Sequence, residues 1–306
     1  MTKRDYLSVD DLSVDELADL LAEAAKMKSK PASYQNLLAG KQIAMIFEKP
    51  STRTRVSFEA GINSLGGRAI VLRADELQLG RGETIEDTGR VLSRYVDAIV
   101  VRTFQQERLE RLAVGASVPV VNALSDRSHP CQALADLLTI QEQRGKKLKG
   151  TSLAYIGDGN NVTHSLLLAG AKMGMEVRVA TPEDYAPAPE VVERAKEIAA
   201  HTGGKVIVTD FVPEAAGGAQ VLYTDVWTSM GQESETEARL KVFEPYRIDA
   251  EVVGMAARDA IVMHCLPAHR GEEIAAEVMD GNLAVVWDQA ENRLHTQKAL
   301  LANLLT

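Results

Sequence analysis

Cysteine is almost absent: two occur in 306 residues. Cys131 and Cys265 lie far apart and neither has a CxxC neighbour, which removes a disulfide scaffold and a thiolate zinc site. No apolar run approaches the roughly 18 residues of a membrane helix, and Met1-Thr2-Lys3-Arg4-Asp5-Tyr6 leads into no apolar signal core, so a cytoplasmic location is expected. Positive charge is in deficit, with 34 Lys and Arg against 43 Asp and Glu for a net −9. The basic residues are also scattered, which excludes a nucleic-acid footprint but leaves room for a small anionic substrate held by a local cluster. No GxxxxGK[ST] loop occurs, so a nucleoside triphosphate is not the default guest. With 45% hydrophobic and 25% charged residues, the chain is neither disordered nor collagen-like, and its length suggests two domains.

From about position 41, short Val/Ile-rich runs alternate with longer helical patterns, the signature of a parallel sheet covered by helices. The fold class is therefore α/β. Strands are expected at Gln42–Phe47, Ala69–Leu72, Ala98–Arg102 and Val118–Leu124. A second set is expected at Ser152–Gly157, Glu176–Ala180, Lys205–Thr209, Val221–Asp225, Ala260–Cys265 and Ala284–Trp287. The polar stretch Gln141–Lys147 ends a helix and marks the domain boundary, giving 1–145 and 146–290. Residues 291–306 form a last helix that packs back, its leucines partly on one stripe.

The first strand is followed by Ser51-Thr52-Arg53-Thr54-Arg55, which opens an amphipathic helix. A helix start offers unpaired N–H groups and the positive end of the macrodipole, and arginine adds a planar fork suited to phosphate oxygens. Cations at this end oppose the dipole unless an anion offsets them. Two arginines in one turn therefore argue for a phosphate site over a plain Ser cap. Elsewhere, Gly157-Asp158-Gly159-Asn160-Asn161-Val162 begins like a dinucleotide loop. Val162 replaces the third glycine, however, and no acidic residue closes the following strand near Ala180, so a NAD-dependent oxidoreductase is a remote alternative.

Ser51-Thr52-Arg53-Thr54-Arg55 resembles the carbamoyl phosphate signature of the aspartate and ornithine carbamoyltransferases. His129-Pro130-Cys131-Gln132 is similar to the family's His-Pro-x-Gln motif. Asp225-Val226-Trp227-Thr228-Ser229-Met230-Gly231 and His264-Cys265-Leu266-Pro267 resemble the ornithine branch. Together these motifs span positions 51 to 267.

The resemblance implies carbamoyl transfer from carbamoyl phosphate to L-ornithine, giving L-citrulline and phosphate in arginine metabolism, with biosynthesis the expected direction and no cofactor or metal. It implies that 1–145, joined by helix 291–306, binds carbamoyl phosphate and that 146–290 binds ornithine. By resemblance, Ser51, Thr52, Arg53 and Thr54 grip the phosphate. Arg102 bridges phosphate and carbonyl oxygen, His129 and Gln132 serve the carbamoyl group, and Cys265, Leu266 and Arg293 also reach it. Gln78 contacts carbamoyl phosphate from a neighbouring subunit, which implies a homotrimer or multiple of trimers. Asn161, Asp225, Ser229 and Met230 hold ornithine, and Cys265 is the family's proton acceptor. Outside these motifs Arg102 would read as a surface arginine, His129 as a cap and Cys265 as an inert thiol.

His264 and Cys265 are adjacent on an expected strand, so their side chains point to opposite faces and form no nucleophile dyad. Gln232–Glu237 reads as a loop able to close over the site. Ornithine's side-chain amine, Lys-like at about 10.4 in water, must lose a proton, so activity is expected to rise toward alkaline pH. Putrescine or an acylated ornithine is the alternative acceptor. Aspartate would require more positive charge than Asp225 and Cys265 offer, and a non-catalytic amino-acid-binding module would not need the arginine-rich site.

Overall fold

The structure, a computed structural model, describes residues 3–73, 82–145, 147–228 and 233–306. It divides into two compact units, Met1–Leu138 with Glu291–Thr306, and Thr139–Ala290.

The first unit runs α1 (Val14–Ser29), β1 (Gln42–Phe47), α2 (Thr52–Ser64), β2 (Arg68–Arg73), α3 (Ile85–Leu92), β3 (Ala98–Arg102), α4 (Gln106–Gly115), β4 (Val120–Leu124) and the start of α5 (Pro130–Gln143). Helix starts follow local chemistry. Ser13 and Glu16 form a reciprocal capping box on α1, and Thr84 accepts from Asp87 N at the head of α3. The four strands are parallel in the order β2-β1-β3-β4. Strands β3 and β4 are buried along their whole length, as expected of a sheet covered on both faces. Ile46, Ile99, Val101, Leu109 and Leu112 share one core cluster.

The second unit holds β5 (Ser152–Ile156), α6 (Asn161–Lys172), β6 (Glu176–Ala180), α7 (Pro189–Thr202), β7 (Lys205–Thr209), α8 (Val212–Ala216), β8 (Val221–Thr224), α9 (Thr236–Phe243), α10 (Ala250–Met255), β9 (Ile261–His264), α11 (Ala276–Met279) and the start of α12 (Val286–Leu305). Its strands are parallel in the order β7-β6-β5-β8-β9. Trp227, Phe243, Tyr246, Val262 and Val286 pack in its core.

The expected strand Ala284–Trp287 is not one. Ala284 makes a single bridge to Val262, and helix α12 begins at Val286. Likewise Gln232–Glu237 is not loop throughout. Glu233–Glu235 is a 3-10 turn and α9 starts at Thr236. The last helix begins five residues before the expected Glu291 (286 against 291). From Glu291 on it belongs to the first unit, where a Cβ on Gly61 of α2 would lie 3.2 Å from Lys298. Among the described residues no helix is long and apolar enough to cross a membrane.

Each sheet reverses its direction of growth once, between β1 and β3 and between β5 and β8. Loops leaving the carboxyl ends of strands at such a switch point diverge and leave a crevice. Ser51 and Arg102 lie at the first, and Gly157–Asn161 and Asp225 at the second.

Candidate active site

At the first switch point Ser51 is the N-cap of α2, its Oγ accepting from Thr54 N at 3.2 Å. The following residues sort by burial: Thr52, Arg53 and Arg55 are exposed and Thr54 is buried. Arg55 pairs one turn on with Glu59 at 3.6 Å. Thr54 Oγ1 accepts from Arg293 Nη2 at 2.8 Å, while Arg293 Nη1 donates to Gln132 Oε1 at 3.0 Å. Helix α12 thus brings a buried arginine onto the heads of α2 and α5. Arg102, buried at the end of β3, has its carbonyl held by Glu48 N at 2.9 Å. An open cavity of about 810 Å³ is lined by Ser51, Thr52, Lys49, Arg55 and Arg73 among others.

His129 precedes α5 and is buried. Burial, then the charges of Arg293, Arg102 and Arg53, hold its imidazole well below the usual histidine range. It is therefore a neutral donor at pH 7. Cys131, next but one, is a buried thiol pushed up to about 12 by desolvation, which leaves it chemically inert.

At the second switch point the Cys265 thiol donates to Asp225 Oδ1 at 2.9 Å, and Asn160 Nδ2 donates to Asp225 Oδ2 at 3.0 Å. Asn160 is also the N-cap of α6, its Oδ1 accepting from Val162 N and Thr163 N. Asn161, the residue singled out from sequence, is the first residue of α6. Gly157 has φ 141°, a conformation that favours glycine. A Cβ on Gly159 would meet Tyr185 O and Pro187 N at 2.4 Å. The dinucleotide-like spacing therefore serves the close approach of the chain to itself.

His264 and Cys265 have separate hydrogen-bond partners. Strand β9 ends at His264, however, so Cys265 lies beyond it and the strand alternation read from the sequence does not set the two side chains apart. Their potential ligand atoms come within 4.8 Å. His264 Nε2 lies 3.0 Å from Glu273 Oε1, and Nδ1 accepts from Leu266 N at 2.9 Å. Leu266, at φ 62°, stands in the left-handed region.

Sequence reasoning missed Arg239. Buried on α9, it donates to Trp227 O at 2.6 Å and to Asp158 Oδ2, and its guanidinium lies 4.7 Å over the Tyr185 ring. Burial pushes Asp158 up to about 6; the Arg239 charge pulls it down and Asp225 pushes it up. A lone arginine among charged helix residues carries no sequence signal, because Asp158, Tyr185 and Trp227 come from distant segments. Gln78, Ser229 and Met230 lie outside the described residues.

Asp225, His264 and Cys265 bring one potential ligand atom each within 4.8 Å of one another, as do His269, Glu272 and Glu273. In the first grouping Cys265 donates to Asp225 and His264 meets Glu273; in the second, His269 Nδ1 lies 3.8 Å from Glu272 and 3.7 Å from Glu273.

Residues 4–142 match the family model described as the carbamoyl-P binding domain of aspartate/ornithine carbamoyltransferase, and residues 149–304 match its Asp/Orn binding domain. An ornithine carbamoyltransferase of Parafrankia sp. is 60% identical, covering 100% of this chain and 97% of the relative. One from Acidothermus cellulolyticus is 59% identical over 99% of this chain and 96% of its own length. The solved structure of ornithine carbamoyltransferase from Pyrococcus furiosus has a TM-score of 0.96 at 52% identity, covering 99% of this chain and 97% of that one.

Proposed function

The chain belongs to the aspartate/ornithine carbamoyltransferase family, and from that premise we propose how it moves the carbamoyl group of carbamoyl phosphate to the side-chain amine of L-ornithine, giving L-citrulline and phosphate. The observation that carries the reading is the first switch point: a Ser51-capped helix start onto which Arg293 is held by bonds to Thr54 and Gln132, with Arg102 and His129 buried.

Carbamoyl phosphate is an acyl phosphate whose carbonyl carbon an amine attacks. The tetrahedral oxyanion collapses by expelling phosphate. Ser51, Thr52, Arg53, Thr54 and Arg293 bind the phosphate, so the leaving charge meets fixed donors that need no reorganisation as it develops. Arg102 and His129 donate to the carbonyl oxygen, and Gln132 serves the carbamoyl amide. His129 does this as a neutral imidazole, because a further cation among three arginines is disfavoured by burial. Asp225, with Asn160, Asn161, Ser229 and Met230, binds ornithine. The Cys265–Asp225 pair receives the proton that the amine loses, with Leu266 beside it. Residues 1–145 with helix 291–306 form the carbamoyl phosphate domain and 146–290 the ornithine domain. A homotrimer, with Gln78 reaching a neighbour's carbamoyl phosphate, belongs to the same proposal and rests on the family resemblance.

The test is ureido-product formation from carbamoyl phosphate with ornithine, acetylornithine, putrescine and aspartate in turn. Citrulline from ornithine at the highest kcat/KM is expected. Preference for any other amine overturns the acceptor assignment.

A further inference from the structure

Gln132 sits between two charged groups that allow its amide only one orientation. Its Nε2 donates to Asp136 Oδ1 at 2.9 Å, one helical turn further along α5, and its Oε1 accepts from Arg293 Nη1 at 3.0 Å. A carboxylate oxygen accepts and a guanidinium only donates. Flipping the amide would set oxygen against carboxylate and NH2 against guanidinium, losing both bonds at once. Arg293 continues the chain to Thr54 Oγ1 at 2.8 Å. All four side chains are buried, with Asp136 and Thr54 fully so. Unpaired donors and acceptors at such depth are costly, so the run of bonds holds as a unit.

We propose that Asp136 is a positioning residue for carbamoyl phosphate: by fixing the Gln132 amide it fixes the guanidinium of Arg293 on the head of α2. It touches no substrate itself and acts through Gln132. This rests on the reading of Gln132 and Arg293 as carbamoyl phosphate ligands.

Removing the carboxylate takes away one of the two bonds that set the amide, so Gln132 holds Arg293 less tightly, the Thr54 bond alone is left intact, and the phosphate meets a less firmly pre-set fork. In D136A, KM for carbamoyl phosphate should rise by roughly 10-fold or more, the scale of one charge-assisted hydrogen bond. KM for ornithine should move less than about twofold. D136N keeps an oxygen that can accept from Gln132 Nε2, and should recover most of the carbamoyl phosphate affinity. A residue that only stabilises the fold would lower Tm and the active fraction while leaving both KM values in place.

The experiment is steady-state kinetics of wild type, D136A and D136N with each substrate varied at saturating partner, alongside thermal unfolding. Should D136A not fold, D136S is read in its place. Unchanged carbamoyl phosphate KM in D136A, or a D136N variant as impaired as D136A, overturns the proposal. Wild type that forms no citrulline would instead overturn the functional reading beneath it, so the two failures are distinguishable.

Discussion

His129 gives the residue scale its clearest consequence, because burial and three arginines set its protonation state. Its folded-state pKa lies below the unfolded value of about 6.5. Below that pH the unfolded chain therefore binds more protons than the native one, and stability falls as pH falls. The urea midpoint should drop between pH 7 and 5 more steeply in wild type than in H129N; equal slopes would contradict the buried neutral imidazole. Arg102 carries the complementary prediction. Losing a fixed donor to the oxyanion typically costs roughly 100- to 1000-fold in turnover, so Arg102→Ala should lose about that much kcat while the far-UV spectrum is unchanged. Near-normal turnover would remove the role. The residues missed from sequence are those whose partners lie far along the chain. The resemblance places Asn160 only within the segment Asp158–Asn161, and nothing local shows that its amide reaches Asp225, sixty-five positions away.

At the scale of elements, the strands were legible because Val and Ile runs bounded by polar residues leave little choice of structure. β1, β3, β6 and β7 match their expected bounds residue for residue. The failure at Ala284–Trp287 is instructive. Val285 and Val286 look like half a strand, but Val285 N bonds Val262 O and Val286 begins α12. A two-residue apolar run is shared by an edge contact and a helix start, and periodicity cannot divide it. The loop after β5 carries its own prediction. Asp158, pushed up to about 6, takes a proton below that pH, and Arg239 then loses its counter-charge. L-norvaline has ornithine's α-groups without the side-chain amine, so its inhibition constant isolates this event. It should weaken as pH falls through about 6 in wild type and show no such break in D158N; a break that persists in D158N would assign it elsewhere.

For the whole molecule, the parallel sheets followed from the alternation of elements, the division into two units from length and the polar stretch Gln141–Lys147, and the last helix from its leucine stripe. An anion site at the head of α2 was legible because charge at a helix start conflicts with the dipole unless an anion offsets it; carbamoyl phosphate as its guest came only from the family resemblance. The Arg239 clamp was not legible, since it is assembled from three separated segments. One consequence belongs to the complete reaction: the attacking amine must be uncharged. Rate at subsaturating ornithine should therefore rise from pH 6 to 9, and a flat profile under those conditions would contradict amine deprotonation as a controlling step. The central claim is that the groups opening α2, with Arg102 and Arg293, hold the phosphate. The direct measurement is a crystal structure with a bisubstrate mimic, a phosphonate joined through a carbonyl to ornithine. Phosphonate oxygens are expected against the Ser51–Thr54 turn and both arginines. A phosphonate bound elsewhere, with that turn empty, would contradict that claim.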